Sequence, residues 1–364
     1  MTLKLLTGSL MSGLVAFAVL AATGSRYPDR VAASYLVGYL AVTTAVLGVL
    51  LVVLIAHSIA VRWIVVVRRL AEHVTATLPW LALGFVPVVV MAHRLYPWAR
   101  GDVPEHLHTW LSLPWFTVRA VIYFALWIGM AEYVRARALA SPPHDVRRFA
   151  SGSIPIYALT LTSASFDWIM SLTPRWVSTM FGVYIFAAAF VTAFAVLAII
   201  AWGAQRYANL AVSPSHYHAI GRMLFGFVIF WTYIAFSQLF IIYMADLPEE
   251  AIWAVHRITP YWRTTTYILY CLHFVVPFFI LLPRDIKRRG GLLAAVSTLL
   301  VATQVIDMAY LVLPSLDLKL SWLDAVAVIA ITCITIAVGV VRSRGLGVAT
   351  ETDPQFAASL RYVS

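Results

Sequence analysis

The run Ser163-Ala164-Ser165-Phe166-Asp167-Trp168-Ile169-Met170-Ser171-Leu172-Thr173-Pro174-Arg175-Trp176 decides the fold. It holds the end of one apolar stretch, a tight turn and the threshold of the next. Pro174 stops a helix, Arg175 and Trp176 suit the headgroup level of a bilayer, and Val177 opens another apolar run. Asp167 lies inside the first stretch, about one and a half helical turns from the surface. A carboxylate in hydrocarbon costs about 2.5–3.5 kcal/mol on insertion scales, so Asp167 is a functional candidate from the outset.

The rest of the composition agrees with a membrane setting. Apolar residues make up 62% of the 364 and charged residues only 12%, with a mean hydropathy of +0.86. That balance belongs to an all-α polytopic membrane protein, not to a soluble domain. The net charge of +10 does not imply nucleic acid, because the basic residues sit in short loops between apolar runs, where membrane orientation places them. The two cysteines, Cys271 and Cys333, fall inside apolar stretches, and no CxxC or CxxCH occurs. Covalent haem, an iron–sulfur cluster and a thiolate zinc site therefore lack ligands, and any redox cofactor is non-covalent or belongs to a partner.

About ten stretches are long enough to span: 4–22, 32–56, 76–93, 113–132, 153–172, 177–203, 222–244, 264–283, 291–313 and 323–341. They form a single membrane domain over 1–349, and the polar tail 350–364 is expected to be mobile. The first stretch, with Lys4 before it and Ala21-Ala22 after it, has the outline of a signal peptide but is read as a retained helix. With the N-terminus inside, inner segments carry 17 Lys and Arg and outer loops carry 8, which places both termini in the cytoplasm. The basic segment 61–75 is expected to lie along the membrane surface as an amphipathic turn. Two outer loops, 94–112 and 245–263, are long and rich in aromatic and polar residues.

In this orientation the intramembrane polar residues gather towards the outer side. Arg119, Asp167, Gln238, Gln304 and Asp307 fall in the outer part of their spans, and His273 lies near mid-depth. Glu132 stands at an inner end. Helical spacing groups Thr160, Ser163 and Asp167 on one face, and Thr303, Gln304, Asp307 and Tyr310 on another. Each has a structural alternative: Asp167 neutralising Arg119, Gln304 and Asp307 clamping two helices, His273 satisfied in the core, and Glu132 paired with Arg135. His106 and His108 lack the further ligands of a metal site, so no metal is expected.

Phe166-Asp167-Trp168-Ile169-Met170-Ser171-Leu172 followed by Trp176-Val177-Ser178-Thr179-Met180-Phe181-Gly182 resembles the second polysulfide-reductase-like (NrfD-like) membrane subunit of bacterial alternative complex III. Leu113-Pro114-Trp115-Phe116-Thr117-Val118-Arg119, Phe230 to Gln238, Leu247-Pro248-Glu249-Glu250 and Pro277 to Leu282 fit the same family in order, so the likeness covers roughly residues 76–315. Arg175 stands where the family usually has His, and Asp246 where it usually has Asn.

The resemblance implies two four-helix bundles plus two peripheral helices in a bacterial inner (cytoplasmic) membrane. It implies a subunit of a quinol-oxidising respiratory complex that passes electrons to a cytochrome c or an attached terminal oxidase. Haem and iron–sulfur clusters would lie in cytochrome c and iron–sulfur partner subunits, beside a sister membrane subunit credited with the quinol pocket. This chain would support proton translocation and would not be catalytic alone. Whether a quinol such as menaquinol binds it stays open. Proton-transfer candidates are Asp167, Asp307, His273 and Glu132; Arg119, Trp168, Gln238 and Gln304 are supporting or quinone-region candidates. Glu249, Glu250, Arg175 and Trp176 are candidates for docking partners. The alternatives are a stand-alone proton-coupled transporter and a purely structural scaffold subunit. Spans two to five and six to nine are expected to be parallel repeats, matching Asp167 with Asp307 and Arg119 with His273.

Overall fold

Apolar stretches of twenty or more residues close into helices, whose backbones satisfy their own hydrogen bonds as a lipid interior demands. The computed structural model describes residues 2–59, 61–139, 146–245, 247–347 and 355–364. Among them there is no strand. In order come α1 (Thr2–Gly24), α2 (Pro28–Ser58), α3 (Val65–Thr75), α4 (Leu78–Gly84), α5 (Val86–Val90), α6 (Ala92–Leu95), α7 (Leu113–Leu139), α8 (Arg147–Trp168) and α9 (Phe181–Ala208). Then follow α10 (Pro214–Ala245), α11 (Pro248–Val255), α12 (Pro260–Leu269), a π-helical turn at Tyr270–Val275, α13 (Val276–Leu281), α14 (Arg284–Arg288), α15 (Gly290–Val312), α16 (Trp322–Arg342) and α17 (Phe356–Leu360).

Nine segments among the described residues are long and apolar enough to cross a membrane. The expected tenth, α8, has 22 residues and is long enough at about 33 Å, but its Ser, Thr and Arg content makes it less apolar. It is packed between α2, α7 and α9. The protein is thus an all-α, multi-pass membrane protein.

α2 is the central post, buried along most of its length and touching α1, α3, α7, α8, α9, α15 and α16. Glycine permits its closest crossings. A Cβ on Gly48 would stand 2.0 Å from the Ala189 carbonyl oxygen of α9, and one on Gly38 would stand 2.8 Å from the backbone of Ala327 in α16. Small residues at such points let helices gain dispersion contact where no hydrophobic drive separates helix from lipid. One half is built from α2, α3–α6, α7 and α8. The other is built from α9, α10, α12–α13 and α15, and α1 pairs with α16 at the periphery against α2.

Two expectations need correction. Of the segment 61–75 expected to lie along the surface, Arg62 is exposed but residues 65–75 are packed inside. Arg68, Arg69 and Glu72 are buried, because Glu72 accepts from Arg69 at 2.8 Å and lies 3.1 Å from His57 Nε2 at the end of α2. An amphipathic pattern here marks a polar face turned inward onto partners. The end of the tail, 355–364, packs instead of hanging free. α17 contacts α3, Ser359 is fully buried, and its carbonyl lies 3.1 Å from His216 Nε2. Residues 348–354 of that stretch lie outside the described residues.

The ends of α8 and α15 meet at one face. Thr173 Oγ1 donates to Ser315 Oγ at 3.1 Å, and Trp176 stacks on Trp253 with centroids 4.9 Å apart. The two acid-bearing helices therefore present their C-terminal ends to the same side.

Candidate functional site

The sequence candidates separate into two clusters, one per half. In the first, Asp167 is fully buried near the end of α8. Arg119 of α7 grips it with both arms of the guanidinium, Nε to Oδ2 and Nη2 to Oδ1, each at 2.8 Å. Tyr123, one turn further along α7, donates to Oδ2 at 2.8 Å, and the Trp110 indole donates to Oδ1 at 3.1 Å. Arg119 is itself held, since its Nη1 donates to the Trp110 carbonyl at 2.8 Å and its guanidinium lies 4.1 Å over the Trp110 ring. A bidentate, doubly supported pair of this kind is charge-compensated and fixed. Trp168 is buried beside it among Phe85, Phe124 and Trp127.

The second cluster has another chemistry. Asp307 of α15 is fully buried and accepts from the Tyr184 hydroxyl of α9 at 2.5 Å and from Gln304 Nε2 at 2.9 Å. Among the described residues no cation pairs with it. His273, fully buried in the π turn, has Nδ1 2.6 Å from Thr303 Oγ1. That hydroxyl also reaches the Leu299 carbonyl at 3.0 Å, so Nδ1 can either donate to it or accept from it, and Nε2 has no partner among the described residues in either tautomer. The Trp231 ring packs edge-on against His273 with centroids 4.3 Å apart. His273 Nε2, Gln304 Oε1 and Ser297 Oγ are all buried without a hydrogen-bond partner among the described residues, while the Trp231 indole N–H is turned to Asp307. Ser297 and Gln304 are seven residues apart on α15, so they share a face two turns long. Unpaired groups at this depth are costly unless water reaches them.

Arg257, in the loop after α11, seals this cluster. It lies 3.8 Å over the Trp253 ring and donates to the carbonyls of Trp253 and Leu311, each at 2.8 Å. Burial lowers the guanidinium to about 9, which still leaves it protonated at neutral pH. Trp253 with Arg257 thus parallels Trp110 with Arg119, but Arg257 is spent on the end of α15 and not on a carboxylate.

Beside Tyr184 lies a cavity of about 130 Å³ walled by Phe181, Tyr184, Trp231, Trp253, Tyr270 and Tyr310, with Gln238 at its edge. Gln238 accepts from Ser178 Oγ at 2.7 Å.

Other candidates fall elsewhere. Glu132 pairs with Arg135 at 3.0 Å and with Arg342, at the opposite end of the molecule from Asp167. It does not stand alone there, because the buried Glu72 cluster, unseen in the sequence, shares that half. Arg175 is 3.4 Å from Asp102 with both side chains largely exposed, a pair that contributes little. Trp176 is 2% exposed, so it holds the two halves together and offers no docking surface. The side chains of Glu249 and Glu250, and all of Asp246, lie outside the described residues. Arg119, Asp167, Trp168 and His273 do not gather into one pocket, since His273 belongs to the other half. Sequence reading also missed Tyr123, Tyr184, Trp231 and Arg257. Their only signal was a polar tip on an aromatic or cation within or beside an apolar run.

No family model matches the sequence, and no curated protein aligns with it significantly. Fold and site define a multi-pass helical membrane protein in which, among the described residues, the buried Asp167 is ion-paired and the buried Asp307 is not.

Proposed function

We propose that this chain is an integral membrane subunit of a quinol:electron-acceptor oxidoreductase in a bacterial respiratory chain, and that it handles protons and not electrons. Its electron-carrying partners, bearing haem and iron–sulfur clusters, and a sister membrane subunit would dock on the face where α8 and α15 end. Both termini would face the cytoplasm. The observation that supports proton handling is the contrast between the two acids. Asp167 is locked to Arg119, while Asp307 shares only neutral donors and neighbours a column of unpaired polar atoms. A carboxyl without a cation exchanges its proton without breaking an ion pair, and water along Gln304, His273 and Ser297 would carry that proton away. The resemblance to the alternative complex III subunit supports the quinol context.

The test is to replace Asp307 by Asn in the native complex and measure quinol-dependent turnover and co-purifying haem. The expected outcome is turnover reduced at least tenfold with haem partners retained. Unchanged turnover would refute the role of Asp307, and native protein that purifies without redox partners would refute the complex.

A further inference from the structure

We infer that the aromatic cavity beside Tyr184 is a lateral binding site for the six-membered headgroup of a membrane-soluble quinone. The inference deepens the proton-handling role and rests on it for its purpose, while binding itself can be judged separately.

Size comes first. At about 130 Å³ the cavity is close to the ~150 Å³ space that accepts a single benzene ring in an engineered protein core. Shape agrees, because flat rings from five elements, Tyr270 of the π turn among them, form its walls. Phe181 and Tyr184 come from α9, Trp231 from α10, Trp253 from α11 and Tyr310 from α15. Its mouth lies on the apolar flank between α10 and the π turn, where Phe236, Leu239 and Tyr270 are well exposed. A tail attached to the ring would leave through that gap into lipid.

Polar groups argue for an oxygen-bearing ring over a plain acyl chain. Gln238 is 5% exposed and Ser178 takes only one end of its amide, so the other end lacks a partner among the described residues. Trp231, 4% exposed, walls the cavity with its ring while its indole N–H is turned to Asp307. A carbonyl or hydroxyl on a seated ring would satisfy the free Gln238 amide N–H, whereas an acyl chain would leave it unpaired. Tyr184 both walls the cavity and donates to Asp307. A ring hydroxyl there would be one tyrosine hydroxyl away from the carboxyl.

The experiment uses the full chain in lipid nanodiscs, labelled with a photoreactive azido-benzoquinone in the presence or absence of excess decyl-benzoquinone. Competed label is expected in the peptides of α9, α10 and the 260–281 segment. Ala235→Phe, which fills the cavity from its α10 wall, should reduce that label at least tenfold, and Gln238→Leu should reduce it several-fold while leaving the cavity open. Thermal melting checks that both variants remain folded; if Ala235→Phe does not, Gln238→Leu decides. Label that is dispersed, not competed, or unaltered in the folded variants overturns the site. So does label placed there by a photoreactive fatty acid that decyl-benzoquinone fails to displace. Binding that persists while Asp307→Asn leaves turnover intact would retain this site and discard the proton role alone.

Discussion

Two aspartates at the same end of parallel helices have opposite surroundings, and the difference is made by single side chains. Asp167 receives donors from Arg119, Tyr123 and Trp110, so removing its charge strands a buried guanidinium. Asp167→Asn is expected to cost about 3–5 kcal/mol, the typical penalty for breaking a buried pair. The check is the yield and melting temperature of the purified variant; a normal yield would mean that the pair is not structural. The Arg119–Asp167 contact was legible in the sequence because an arginine and an acid at equal depth in apolar spans have few other options. Tyr184 was not legible as the partner of Asp307. It lies 123 residues away, and helical periodicity reports only which residues share a face, never what faces them.

At the level of elements, apolar length located nearly every span, while the breaks had to be seen. Pro79 and Pro87 sit where the segment from 65 to 95 divides into α3–α6, and Pro277 follows the π turn that carries His273. Proline removes a helical donor, and a π turn frequently marks a functional position. Of the segment 61–75, the part from 65 to 75 runs against the surface reading because a polar stripe on a helix looks the same whether water or a buried partner covers it. Here His57 and Arg69 converge on Glu72, and the stripe is internal. Glycine in α2 gives a sharper test of packing. Gly48→Ala would drive a methyl into the Ala189 carbonyl. Such overpacking is expected to destabilise by about 1–3 kcal/mol. A detergent melt lowered relative to the parent checks it, and an unchanged melt would mean α2 and α9 can separate at no cost.

Across the whole molecule, the two halves echo each other with a consistent shift of role. Each places a tryptophan before its third spanning segment and stacks an arginine on it. Trp110 holds Arg119 in the first half, and Trp253 holds Arg257 in the second. The expected match of Arg119 with His273 fails in depth. Arg119 lies in the second turn of α7, whereas His273 is about three and a half turns into its span. Arg257 is the closer counterpart of Arg119, and it was hidden because it sits in a loop outside any apolar run. Its guanidinium is committed to the carbonyls of Tyr310 and Leu311, which leaves Asp307 among neutral groups: Tyr184, Gln304 and the uncharged side of the α15 column. One half has thus kept its acid as a structural pair and the other has freed it.

The most direct test of that division is infrared difference spectroscopy of the purified chain in nanodiscs, with pH steps in H2O and D2O. A buried carboxylic C=O stretch that shifts in D2O is expected in the parent, displaced in Tyr184→Phe and lost in Asp307→Asn. The same band surviving intact in Asp307→Asn would contradict the account.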